Sequence, residues 1–107
     1  MKGGMMMLQV DPDLNRKFLD FFRAVFGDGA LDRKTKELIG LSVSLAVGCR
    51  PCFELHTNKA RRAGATDQEI REAVAVAEVI ASGRVRSVVA ESTVKPQSEL
   101  NSEVETE

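Results

Sequence analysis

Apolar positions recur three or four residues apart along most of this chain, in blocks separated by helix caps rather than by hairpin turns. Leu14, Phe18, Phe21, Phe22 and Val25 form the first stripe, behind Asp11 as N-cap and Pro12 at the first helical position, and Gly27 ends it. Leu31 and Asp32 introduce a second helix that runs to about Val47, with Gly48 where a left-handed cap costs least. From Leu38 to Val47 that helix carries no charge on any face, so it needs partners on several sides. Pro51 suits the first position of a third helix, which places Cys52 in its first turn and Cys49 just outside; Gly64 stops it after Ala63. Thr66 and Glu69 read as a capping box ahead of Ile70, Ala73, Val74, Ala77 and Ile80, the stripe of a fourth helix that Gly83 closes. Val85, Val88 and Val89 predict a short fifth helix.

The expectation is therefore an all-α, oligomer-forming bundle of about five helices over residues 1–92, followed by a polar, disordered tail over 93–107. At 107 residues the chain is one domain. Its only aromatic residues are five Phe, with no Trp or Tyr, so the interior must be built mainly from Leu, Val, Ile and Ala, which favours helix packed on helix. Fifteen basic residues oppose sixteen acidic ones, for a net charge of -1, and no basic stretch is interleaved with aromatic residues. Nucleic acid is not an expected partner. No segment approaches the roughly 18 apolar residues of a membrane span, and Met5 to Leu8 is too short for a signal-peptide core, so the reading is a soluble, cytoplasmic protein without a membrane partner. Met5 to Met7 read as packing or a loose terminus.

The chemistry gathers in one place. Both cysteines and the only histidine fall within eight residues, as Cys49-Arg50-Pro51-Cys52 followed by His56. Two closely spaced thiols in a reducing compartment are more often catalytic or metal-binding than a structural staple. A cysteine with pKa about 8.5 is only about 3% thiolate at pH 7, against roughly 75% for a pKa near 6.5. That gain of about 25-fold is offset by an about eightfold loss of nucleophilicity, leaving roughly threefold. Proton delivery must supply the rest. His56 can do so, because residues four apart on a helix share a face with β-carbons about 6 Å apart.

These residues resemble the alkylhydroperoxidase D family within the carboxymuconolactone decarboxylase superfamily, whose motif is a Glu, eleven residues, then C-x-x-C-x-x-x-H. Glu37 precedes Cys49 by that spacing, and Cys52 and His56 follow. The text from Ala60 to Ile70 is also similar, and the resemblance covers about Arg33 to Arg84. It implies an all-helical subunit that assembles into trimers or hexamers and acts as a peroxidase or disulfide reductase. It further implies a small hydroperoxide or disulfide as substrate, a dithiol electron donor protein as partner, and no cofactor or metal. Glu37 and His56 would form a proton relay to Cys52, which attacks the peroxide, and Cys49 would resolve the sulfenic acid, with the two thiol roles open to exchange.

Pro51 stands where well-studied members carry a histidine, a departure that bears on peroxidase activity and not on dithiol exchange. Helix arithmetic alone does not seat Glu37 beside His56. At about 1.5 Å per residue Glu37 lies roughly 16 Å back from the end of its helix and His56 roughly 9 Å into the next, leaving about 7 Å unmatched in a simple hairpin. Taken alone, Glu37 reads as a solvated position in the charged turn that begins at Arg33. Glu54, Lys59, Arg61 and Arg62 read as a wet face. Three other functions stay open: a lactone decarboxylase, which the superfamily resemblance allows but the retained Cys49 and Cys52 argue against, a zinc-stabilised oligomerisation module using Cys49, Cys52, His56 and a fourth ligand such as Glu37, and a redox sensor.

Overall fold

The computed structural model describes residues 11–94, so Met5 to Met7 and nearly all of the expected polar tail lie outside the described residues. Four helices and no strand are found among them: α1 Pro12–Phe26, α2 Arg33–Val47, α3 Arg50–Arg62 and α4 Asp67–Ala90. Each start is written in its cap. Asp11 accepts the amides of Asp13 and Leu14, Asp32 accepts that of Thr35, and Thr66 closes a reciprocal box with Glu69. The Asp32 carboxyl is held below its ordinary range by Thr35, first through its side-chain hydroxyl and then through its amide. Glu69 is lowered chiefly by the Thr66 amide and then by the Lys34 ammonium, whose Nζ lies 3.0 Å from Oε2. Both caps are therefore formed throughout the neutral range.

Helix ends are equally local. Gly48 takes the left-handed conformation at φ 77° and returns its amide to the carbonyls of Leu45 and Ser44, and Gly64, at φ 99°, turns the chain out of α3. α2 is the central element, packed on α3 and α4, with α1 leaning on it more lightly. The core between α2, α3 and α4 is built from Leu41, Ala60 and Ile70, lined by Leu38, Phe53, Ala65, Ala73 and Val74. It is small. α1 buries no residue completely, and Ile39, Val43 and Val47 of α2 and Val76, Val79 and Ile80 of α4 remain exposed.

The expected fifth helix is absent, and this corrects the count from five to four. α4 runs unbroken through Gly83 to Ala90, carrying Val85, Val88 and Val89 with it. The reason is energetic: an interior glycine costs a helix only about 1 kcal/mol, and no proline or left-handed residue follows to complete a break. α3 also starts one residue earlier than expected, with Arg50 first and Pro51 second.

A β-carbon at Gly83 would meet nothing within 4 Å. Gly83→Ala should therefore raise stability by about 0.5–1 kcal/mol, read as a higher denaturant midpoint at unchanged slope. A lower midpoint would mean that the helix does need a break there.

Candidate functional site: a dithiol beside a buried histidine–glutamate pair

The left-handed turn at Gly48 brings Cys49 to the N-cap position of α3, and its sulfur accepts the amide N–H of Cys52 at 3.2 Å. The sequence places Cys52 in the first turn of the helix and Cys49 just outside it. Cys49 holds the hydrogen bond, because a short polarisable side chain at an N-cap reaches the third helical amide. The two sulfurs are joined as a disulfide across a Cα–Cα separation of 5.3 Å. On reduction, the same amide and the positive end of α3 favour negative charge on the Cys49 sulfur.

His56 sits one turn beyond Cys52 and is 5% exposed; Glu37, from the first half of α2, is 1% exposed. Their Nδ1 and Oε1 atoms stand 2.7 Å apart. The contact that hairpin arithmetic left unmatched is thus made within one chain, by helices packed with Gly40 against the imidazole. Glu37 is not the solvated residue its neighbours in sequence suggest. With the proton on Nδ1 donated to the carboxylate, Nε2 of a neutral His56 is left with a lone pair. The second Glu37 oxygen, Oε2, is buried without a hydrogen-bond partner.

Three residues that sequence reasoning missed shape the histidine's surroundings. Phe26 stacks on the imidazole at 4.7 Å between centroids and 15°, and Phe22 lies at 5.9 Å and 17°. Their spacing with Phe18, four residues apart along α1, was the available signal. Gly40 is the third: a β-carbon there would stand 3.1 Å from His56 Cγ and 3.3 Å from Phe26 Cε1. A glycine inside an uncharged helix hints at such an approach, since it has no other local use.

The disulfide lies between two cavities. Cys52 and His56 share a largely apolar groove of about 480 Å³ with Phe26, Gly40, Val43 and Val47. Cys49 opens on another space of about 430 Å³ with Ser44, Gly48, Arg50, Phe53 and Glu54. Among the described residues, no three His, Cys, Asp or Glu side chains form a group that could hold a metal. No described helix is long and apolar enough to cross a membrane.

Among the described residues, four helices thus place a cysteine pair at one helix start and a buried histidine–carboxylate pair one turn below it. The chain belongs to the carboxymuconolactone decarboxylase family, whose sequence model matches residues 12–91, and it is AhpD-like within it. It is 46% identical over 66 residues to an uncharacterized protein of the cox locus of Paracoccus denitrificans, covering 62% of this chain and 60% of that one. It is 37% identical over 62 residues to the alkyl hydroperoxide reductase AhpD of Azorhizobium caulinodans, covering 58% of this chain and 34% of that enzyme. A crystal structure from Methanobacterium thermoautotrophicum superposes with a TM-score of 0.71 at 32% identity, covering 81% of this chain and 94% of the other. The chain spans about 60% of the length of the first curated relatives it matches.

Gly40→Ala sets the usual helix gain of about 1 kcal/mol against an overpacking cost of about 1–3 kcal/mol. The expected result is a net loss of stability together with a shift of the lone histidine's ring signals in the proton NMR spectrum. Stabilisation like that expected at Gly83, with those signals unmoved, would contradict the close approach.

Proposed function

We propose that this protein is a thiol-dependent peroxidase and disulfide oxidoreductase of the alkylhydroperoxidase type, with Cys49, Cys52, His56 and Glu37 as its working residues. The observation that carries the reading is the buried Glu37–His56 hydrogen bond one turn from Cys52, at a groove large enough for a small organic molecule. The likeness to an alkyl hydroperoxide reductase supports it.

In the proposed cycle the Cys52 thiolate attacks the outer oxygen of a hydroperoxide. The O–O bond breaks, His56 gives a proton to the departing alkoxide, and an alcohol leaves Cys52 as a sulfenic acid. The Cys49 thiolate, favoured by the Cys52 amide, then attacks that sulfur, expelling hydroxide that takes a proton and leaves as water. The disulfide that results is returned to two thiols by exchange with a dithiol donor protein. Glu37 holds the imidazole in place and stabilises its protonated form. A donor of this kind is at hand in a reducing compartment, which fits a cytoplasmic protein.

Replacement of Cys52 by Ser should abolish hydroperoxide turnover with a dithiol donor. His56→Ala should lower it by about 10²–10⁴, the usual contribution of a positioned acid–base group, and Glu37→Gln by less. Unchanged turnover in the Cys52 and His56 variants would remove the mechanism. One zinc per chain, protecting both thiols from alkylation, would instead favour the structural module.

The exposed apolar surface bears on assembly. Ile39, Val43, Val76 and Ile80 line an apolar groove of about 400 Å³ between α2 and α4, and in the proposed trimer or hexamer other copies of the chain cover that face. Light scattering should give a mass of three or six chains. A monomer there, or an oligomer unaffected by Val76→Glu combined with Ile80→Glu, would refute this mode of assembly.

A further inference from the structure

The unpartnered Glu37 oxygen has no role in the cycle above. Glu37 lines a further cavity of about 310 Å³ that neither cysteine reaches, together with Arg33, Lys59, Arg62 and Ala63. Three cations there face one carboxylate. Among the described residues none of the three side chains is engaged in an ion pair, and the Asp28 carboxylate beside Arg33 accepts its backbone amide, at 2.7 Å. Lys59 is steadied by the Phe22 ring, 5.4 Å from its Nζ. The charged and titratable groups around the carboxylate are Arg33 from α2 and His56, Lys59 and Arg62 from α3; α1 faces the pair with Phe22 and Phe26, and α4 lines none of the cavity.

A surplus of positive charge calls for an anion, whereas a buried carboxylate oxygen without a partner calls for a hydrogen-bond donor. One small ligand satisfies both demands only if it is an anion that still carries a proton. We propose that this cavity binds a protonated oxyanion of the phosphate monoanion class, its charge held by Arg33, Lys59 and Arg62 and its hydroxyl donated to Glu37. A fully deprotonated anion of the same shape would set a bare oxygen against the carboxylate and be rejected. The binding claim stands apart from the peroxidase reading. Its functional consequence rests on that reading: the anion exchanges protons with Glu37 at the end of the pair away from Cys52, connecting the relay to the surrounding buffer.

The test uses the full-length oxidised protein, without turnover, so that failure of the peroxidase reading leaves it intact. Inorganic phosphate is titrated at about pH 6 and constant ionic strength while the ring signals of His56 are followed by NMR. A saturable shift with a millimolar dissociation constant is expected, with sulfate several-fold weaker. Arg62→Gln, Arg33→Gln and Lys59→Gln should each weaken phosphate by about threefold, in line with exposed charge pairs. Arg86→Gln, which removes the same charge from the last turns of α4, should leave it unchanged. Unaltered melting temperatures of the Arg33 and Arg62 variants would separate lost binding from lost folding. The proposal is overturned by the absence of saturation up to about 50 mM phosphate, by sulfate binding as well as phosphate, or by Arg86→Gln weakening phosphate as much as Arg62→Gln.

Discussion

The hydrogen bond between His56 and Glu37 is the constraint around which this small fold is arranged. Removing two ionisable groups from water costs several kcal/mol for each one that is charged, so the pair persists only if its geometry is good and its cover complete. Three helices supply that. α2 contributes Glu37 and, one turn on, the bare backbone of Gly40; α3 contributes the imidazole; α1 contributes the faces of Phe22 and Phe26. α1 buries no residue fully, yet its position is tied to the site by those rings. An apolar aromatic cover also keeps water from the histidine face, which strengthens the remaining electrostatic contact.

The dithiol depends on a different local device. Gly48 reverses the chain in a conformation that other residues adopt at a cost, and this lets Cys49 cap α3 while Cys52 sits within the first turn. The two sulfurs thereby acquire unlike surroundings: Cys49 receives an amide hydrogen, and Cys52 shares a groove with the imidazole. Helix-terminal stabilisation of a thiolate is worth only about threefold in rate once lost nucleophilicity is counted. On the proposed reading, the buried pair therefore matters more to catalysis than the helix start does. A polar pair embedded in so small a core is otherwise difficult to account for.

Local signals were legible in the sequence and relations between helices were not. Asp11, Asp32, Gly48, Thr66 and Glu69 act where they stand, through bonds to residues two to four away, and the helix starts and the α2 end they predict are found. Gly83 misled because a glycine near the end of a pattern reads the same whether it breaks a helix or merely weakens it. The arithmetic that separated Glu37 from His56 assumed two helices folded back side by side. It omitted Gly40, whose bare backbone lets the imidazole lie so close that an added methyl group would crowd it. The family spacing had paired Glu37 with His56 where that arithmetic failed, and their contact is present. The spacing of Phe22 and Phe26 puts them on one face of α1, but that this face meets the imidazole depends on where α1 lies.

Pro51 gives the site its individual character. At the second position of α3 it fixes the backbone between the two cysteines and removes an amide hydrogen that would in any case lack a helical partner. It also leaves His56 as the only imidazole in the chain. In the proposed cycle one ring must then both receive a proton and return one, so its recovery between the two steps depends on what lies behind it. Glu37 is the direct partner, with one oxygen on the ring and the other free. Glu37 also lines a space shared with Arg33, Lys59 and Arg62. A site with two histidines could divide the proton traffic between them; in a site with one, the proposed anion held by Arg33, Lys59 and Arg62 would offer Glu37 a proton partner on the side away from Cys52.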